Sequence, residues 1–190
     1  MGLKQLTLLA LASVLLVANP PLPVKAYEPV RAELHLDADR LKAGEILHMT
    51  VNLHNTTAKE ITVGLFTPYC AIPTITDKKR DKQALWWAPA TNMPVKPSTL
   101  VLKPEQECVV ASYALKAIDT NIEGKGSSEL SKLLRPKDWP DSAGLPLNTG
   151  LMSAVKGSYV VQIVLHFNSI NGAPSPALVK TDSKTFQIVD

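Results

Sequence analysis

The residues of this chain that could carry chemistry or recognition are four histidines, two cysteines and three tryptophans. His48 and His54 fall on one face of an alternating segment, but at about 3.3 Å per residue they stand about 20 Å apart, too far to share an ion. His35 and His166 belong to other segments. The expectation is solvent-facing strand histidines, with no metal and no cofactor. Cys70 and Cys108 each lack a second ligand at close metal-site spacing. In an oxidising compartment the default for such a pair is a disulfide, here closing a loop of about 39 residues.

Nucleophilic catalysis needs a serine or cysteine on a tight turn with a base and an orienting carboxylate. No G-x-S-x-G occurs, and nothing marks a base beside Ser127 and Ser128. No carboxylate pair stands out beside an aromatic platform, and no glycine-rich phosphate loop is present. The chain therefore reads as a non-enzyme with no catalytic residue. Recognition rests on the tryptophans. Trp86 and Trp87 are adjacent, so in a strand they point to opposite faces, one into a core and the other either under the long loop or toward a protein or sugar partner. Trp139, in the segment RPKDWP, either anchors a long loop or is presented to a partner. Asn55-Thr56-Thr57 is a glycosylation sequon on an expected turn, relevant in a eukaryotic host.

These residues need a scaffold, and Gly44–Phe66 shows what kind. Leu47, Met49, Val51 and Leu53 alternate with His48, Thr50, Asn52 and His54, the two-residue period of a half-buried strand. Asn55–Glu60 breaks the pattern, and it resumes at Ile61, Val63 and Leu65. Two such strands need a second sheet to cover them. Ala32–Leu36, Gln83–Trp87, Thr99–Leu102, Cys108–Leu115, Tyr159–Phe167, Leu178–Thr181 and Thr185–Val189 read as further strands. Thr67–Asp77 reads as extended but irregular, since Pro68 and Pro73 argue against a central strand. Ala88–Pro97 is a proline-rich loop. Ala117–Met152 is the least strand-like region, with a short helix expected at Ser128–Leu134 and a role as binding loop or structural cover. Seven to nine strands, fifteen prolines and almost no helical period indicate an all-β, immunoglobulin-like antiparallel sandwich with one long inserted loop, a closed barrel being the alternative.

Met1–Ala26 is set apart. Lys4 precedes an apolar run, Leu6–Ala18, that is shorter than the ~20 residues a spanning helix needs, and Val24-Lys25-Ala26 suits signal peptidase. The expectation is a signal peptide, 1–26, and a single exported domain, 27–190, periplasmic or extracellular and with no membrane association after cleavage. Lys4 and Lys25 leave with the signal, so the net charge of +3 falls to about +1, and nothing favours nucleic acid. The basic run Lys78–Lys82 is interrupted by Asp81 and reads as a solvated turn.

The order of short motifs adds a resemblance. Gly44-Glu45 opens a strand leading to Val51-Asn52-Leu53-His54-Asn55-Thr56. Then come Ile75-Thr76-Asp77, Leu85-Trp86, Leu102-Lys103-Pro104-Glu105-Gln106-Glu107 and Gly157-Ser158-Tyr159-Val160-Val161. Over about Leu34–Phe167 this resembles the immunoglobulin-like domain family of the Bacillus intracellular proteinase inhibitor, the BsuPI-like family. The chain departs from that pattern in its export signal, its two cysteines, its insertion near 117–152, and Glu105 where glycine is usual. The resemblance implies a sandwich fold and a protein partner, with proteinase inhibition as the sharpest form. The expectation is an exported, non-catalytic domain binding another protein, against a carbohydrate-binding module or a small hydrolase.

Overall fold

A computed structural model describes residues 29–67, 70–88, 96–118, 130, 147–174 and 178–190. The expected signal peptide, Trp139, and most of the two expected loops lie outside these residues, as do the side chains of Trp86 and Trp87.

The alternating segment forms β3 (Ile46–Asn55). Its apolar residues Leu47, Met49, Val51 and Leu53 are all buried. On one side β3 pairs antiparallel with β1 (Val30–Leu36), and on the other with β9 (Glu107–Ile118). β10 (Leu147–Ser153) and β7 (Leu85–Ala88) complete a five-stranded sheet in the order β1-β3-β9-β10-β7. The β9–β10 pairing is parallel, so the sheet is mixed. The end of the expected long loop is thus a strand.

The second sheet is built around β11 (Gly157–Ile170), whose inward side chains Tyr159, Val161, Ile163, Leu165 and Phe167 are buried. Its partners are β4 (Ile61–Thr67), β5 (Ala71–Asp77), β12 (Ala173–Pro174), β13 (Leu178–Lys180) and β14 (Lys184–Ile188). β8 (Lys96–Leu102) extends β4, β6 (Lys82–Gln83) pairs with the end of β5, and β2 (Arg40–Leu41) runs parallel to β14. β5 is regular despite Pro73. The proline occupies the stretch where, among the described residues, β11 is the only strand neighbour, while β6 joins at Thr76 and Asp77.

One apolar cluster joins the inner faces of both sheets, giving an all-β sandwich. Tyr159 stacks on Phe186 at 5.4 Å between ring centroids. Ala84 ties the layers at one edge. Its N–H donates to the Ile75 carbonyl in the second sheet, and its carbonyl accepts from Ser153 N in the first. Two irregularities shape the strands. β11 shifts register between Phe167 and Ser169, and the side-chain ends of Asn168 and Ser169 occupy the space beside Gly64 opposite, so a Cβ there would require both to turn away. β9 shifts register opposite Val51 and Asn52, leaving Val110 as the extra residue of a bulge. The turn before β9 places Glu105 at φ 57°, in the left-handed region that glycine adopts most easily. Lys78, Lys79, Arg80 and Lys82 are exposed, as expected of a solvated turn. Asp77 closes it by accepting from Lys79 N at 2.8 Å and Arg80 N at 3.2 Å.

Besides the all-antiparallel pairing and the loop reading of Leu147–Met152, two further expectations fail. Cys70 and Cys108 are free thiols, not a disulfide. Cys70 lies beside Tyr113, whose hydroxyl donates to the Ala71 carbonyl at 2.7 Å. Cys108 stands on the same strand as Tyr113 but about 16 Å further along at the strand rise. A disulfide needs Cα atoms within about 7 Å. Asn55, expected on an exposed turn, is completely buried. Its Nδ2 donates to the carbonyls of Lys59 at 2.8 Å, Leu102 at 3.0 Å and Lys103 at 3.0 Å, while Oδ1 accepts from the Thr57 amide at 2.9 Å and hydroxyl at 2.8 Å. The asparagine locks the corner between two turns, and its nitrogen is not presented for glycosylation.

Candidate functional site

The outer face of β1, β3 and β9 gathers the polar side chains that alternation turns away from the core. Cross-strand pairing sets Arg31 opposite His54, Glu33 opposite Asn52, and His35 opposite Thr50. On the other side of β3, Asn52 faces Val109 and His54 faces Glu107. The bulge at Val110 decides this arrangement. Ala111 points inward, and in an unbroken strand Val109 and Glu107 would follow it. With one residue inserted, Val109 and Glu107 turn outward, and Cys108 turns toward the core.

Glu33, His35 and Glu107 converge on this face, with one ligand-capable atom from each within 4.8 Å of the others. His35 Nε2 lies 3.8 Å from Glu33 Oε2. Arg31 pairs with Glu33, and the Asn52 amide donates to Glu107 Oε1. Asn52 Oδ1 is the buried side-chain polar atom left without a partner among the described residues. At the sheet end, His54 Nε2 is 3.5 Å from Glu105.

Beside this face, β1 is an edge strand. Asp37 N donates across to His48 O, so the odd-numbered residues of β1 turn their main chain toward β3 and the even-numbered ones turn it to the free side. There Leu34 N reaches Asp182 Oδ1 at 3.4 Å. Burial works against the Asp182 carboxylate, but the Lys184 ammonium at 2.6 Å and the Leu34 N–H outweigh it and hold its pKa below the usual value. A groove of about 350 Å³ runs along this edge, lined by Arg31, Glu33, His35, Lys180, Asp182 and Lys184. It continues into a shallower hollow at Leu36–Asp39 and Thr185.

Among the histidines and cysteines, all of which are described, the structure joins none to another in a common site. His48 and His166 stand apart from the Glu33–His35–Glu107 cluster, which includes only His35 of the histidines. Burial pushes the thiol of Cys70 up, and burial followed by the Glu107 charge does the same for Cys108, the reverse of an activated nucleophile. Glu33-x-His35 was visible in the sequence as two outward neighbours on one strand. Glu107 was not, because its orientation depends on the bulge.

No family model matches the chain, and no curated protein does either. Among solved structures, the alkylpurine DNA glycosylase AlkC of Pseudomonas fluorescens, bound to DNA containing an abasic site analog, aligns at TM-score 0.34 and 12% identity. The alignment covers 84% of this chain and 30% of that one. The β-glucosidase EmGH1 of Erythrobacter marinus aligns at TM-score 0.35 and 13% identity, over 84% of this chain and 15% of that one. The chain thus spans less than a third of either enzyme.

Proposed function

We propose that the protein is an exported, non-catalytic binding domain whose partner is another protein, a reading that includes proteinase inhibition as in the BsuPI-like family it resembles. The observation that carries it is the free edge of β1. Alternate main-chain groups face a groove of about 350 Å³ walled by charged side chains, and among the described residues a carboxylate on a neighbouring turn is what touches them. An extended peptide can add to such an edge, taking affinity from main-chain hydrogen bonds and specificity from Arg31, Lys180 and Lys184. Asp182 then blunts the edge in the free protein, as unpaired edges generally require.

Leu130 bears on the long insertion. It is buried, yet it falls outside the main core, as do buried Ala114 and Leu151 on the outer side of the first sheet. That favours a covering role for this part of the segment and moves the binding surface to the β1 edge.

A photo-crosslinking amino acid at Lys180 or Ser183 in the producing cell tests the reading. The expected result is one dominant exported protein captured at both positions. It should be lost on Ala32→Pro, which removes an N–H on the free side of β1 and leaves the β3 ladder intact. Capture of polysaccharide alone, or capture unchanged by Ala32→Pro, overturns it. If the captured protein is an endoproteinase, titration of its activity with the purified domain decides the inhibitor form.

A further inference from the structure

We propose that Glu33, His35 and Glu107 form a binding site for a divalent first-row transition ion, with Zn²⁺ as the expected occupant. The donor set is one imidazole nitrogen and two carboxylate oxygens, brought within 4.8 Å of one another. An imidazole among the donors favours zinc, manganese, iron or cobalt over magnesium and calcium, which take all-oxygen shells. Three protein ligands on an open face leave a coordination position for water, as at zinc sites that are not closed by a fourth side chain.

Charge and hydrogen bonding agree with this. Two carboxylates drawn together repel. Arg31 offsets only the Glu33 side, and Glu107 has the Asn52 amide as its neutral donor. A divalent cation between them removes the repulsion. Asn52 lies between the two carboxylates in the strand order, opposite Glu33, with its Nδ2 committed to Glu107 and its buried Oδ1 unpartnered. An unsatisfied buried acceptor marks a place where an ordered water or ion belongs, and a metal-bound water is a strong donor for it. The frame is also fixed. Glu33 and His35 are held by the continuous β1–β3 ladder, and Glu107 is turned into the cluster by the β9 bulge. Bulges recur where a strand must re-aim a side chain.

The test uses the purified protein, free of any affinity tag, and Zn²⁺ itself. Calorimetry is expected to show saturable one-to-one binding that His35→Ala and Glu107→Gln each weaken at least about tenfold, while His166→Ala leaves it unchanged. Mg²⁺ should not compete. Co²⁺ should give visible d–d bands that disappear in His35→Ala. These side chains are on the solvent face, so circular dichroism should report unchanged folds. As a check that needs no variant, Zn²⁺ added to the wild-type protein should shift the His35 ring resonances and the amides of Glu33, Asn52 and Glu107. Binding that survives both ligand substitutions, shifts centred on His48 or His166, or no saturable binding at all overturns the site.

Discussion

Asn52 and Asn55 belong to the same strand, β3, and the protein treats them in opposite ways. Asn55 is buried, with both ends of its amide engaged and three backbone carbonyls within reach of its nitrogen. The polar corner it forms is closed on itself. Asn52 faces outward into the Glu33–His35–Glu107 cluster, where its nitrogen is used and its oxygen is not. A closed network specifies the fold. An open one leaves valence over for something outside the chain. Asn55 is fully buried and Asn52 half-buried, and the hydrogen-bond count separates the two sites in the same sense.

The comparison breaks most sharply on Asn55→Ala. The Leu102 carbonyl loses its buried Asn55 donor, whereas the carbonyls of Lys59 and Lys103 keep the Thr57 hydroxyl and the Gln106 amide within reach, and stability is expected to fall by about 2 kcal/mol. Urea unfolding measures it, and a loss below about 1 kcal/mol would mean the corner is held by other contacts.

A second closed contact gives a smaller effect and a pH signature. Tyr113→Phe removes the hydroxyl bonded to Ala71 O and is expected to cost about 1.5 kcal/mol. Burial first, and Cys70 second, push the Tyr113 phenol far above its ordinary value of 10.0. The folded state then keeps a proton that the unfolded chain releases above pH 10. The tyrosine's contribution is fully present below that pH and declines as pH rises, at up to about 1.4 kcal/mol per pH unit. Unfolding free energies measured between pH 9 and 11 should show a shallower alkaline decline in Tyr113→Phe than in the wild type, and equal slopes would exonerate the phenol.

At the open site the same kind of substitution should be nearly silent. Asn52→Ala deletes one exposed-face hydrogen bond together with the unpartnered oxygen, and the expected change is within about 0.5 kcal/mol. A loss comparable to that of Asn55→Ala would place Asn52 among the structural groups and erase the contrast.

The smallest expected effect is that of reductant. With Cys70 and Cys108 unpaired, the thermal midpoint should be the same with and without dithiothreitol, and thiol titration of the unfolded protein should count two sulfhydryls. A disulfide closing about 39 residues would instead contribute roughly 4 kcal/mol, a difference that a melting curve resolves easily.

Much of the scaffold was legible in the chain. Leu47, Met49, Val51 and Leu53, then Ile61, Val63 and Leu65, then Tyr159 to Phe167 alternate in the sequence and are buried in the structure. Alternation reports directly on which side of a strand meets the core, because successive Cβ atoms point to opposite faces. All-β class and the two-layer arrangement follow from that local rule. Which strands become neighbours is a different kind of information. The parallel placement of β10 on β9, the transfer of the chain between sheets at Ala84, and the distance between Cys70 and Cys108 depend on residues far apart in sequence. Asn55 looked like a turn residue open to modification because its sequon is local, while the carbonyls that bury its nitrogen include two from the end of β8 and the turn after it. The bulge at Val110 is the clearest case. A single extra residue, with no glycine or proline to announce it, reverses the facing of everything before it on β9 and carries Glu107 to Glu33 and His35. The sequence by itself determined which residues are apolar on alternate positions, and so the inner faces. Only the tertiary structure decided strand order and register, because those are chosen by packing and hydrogen bonding summed over the whole sandwich.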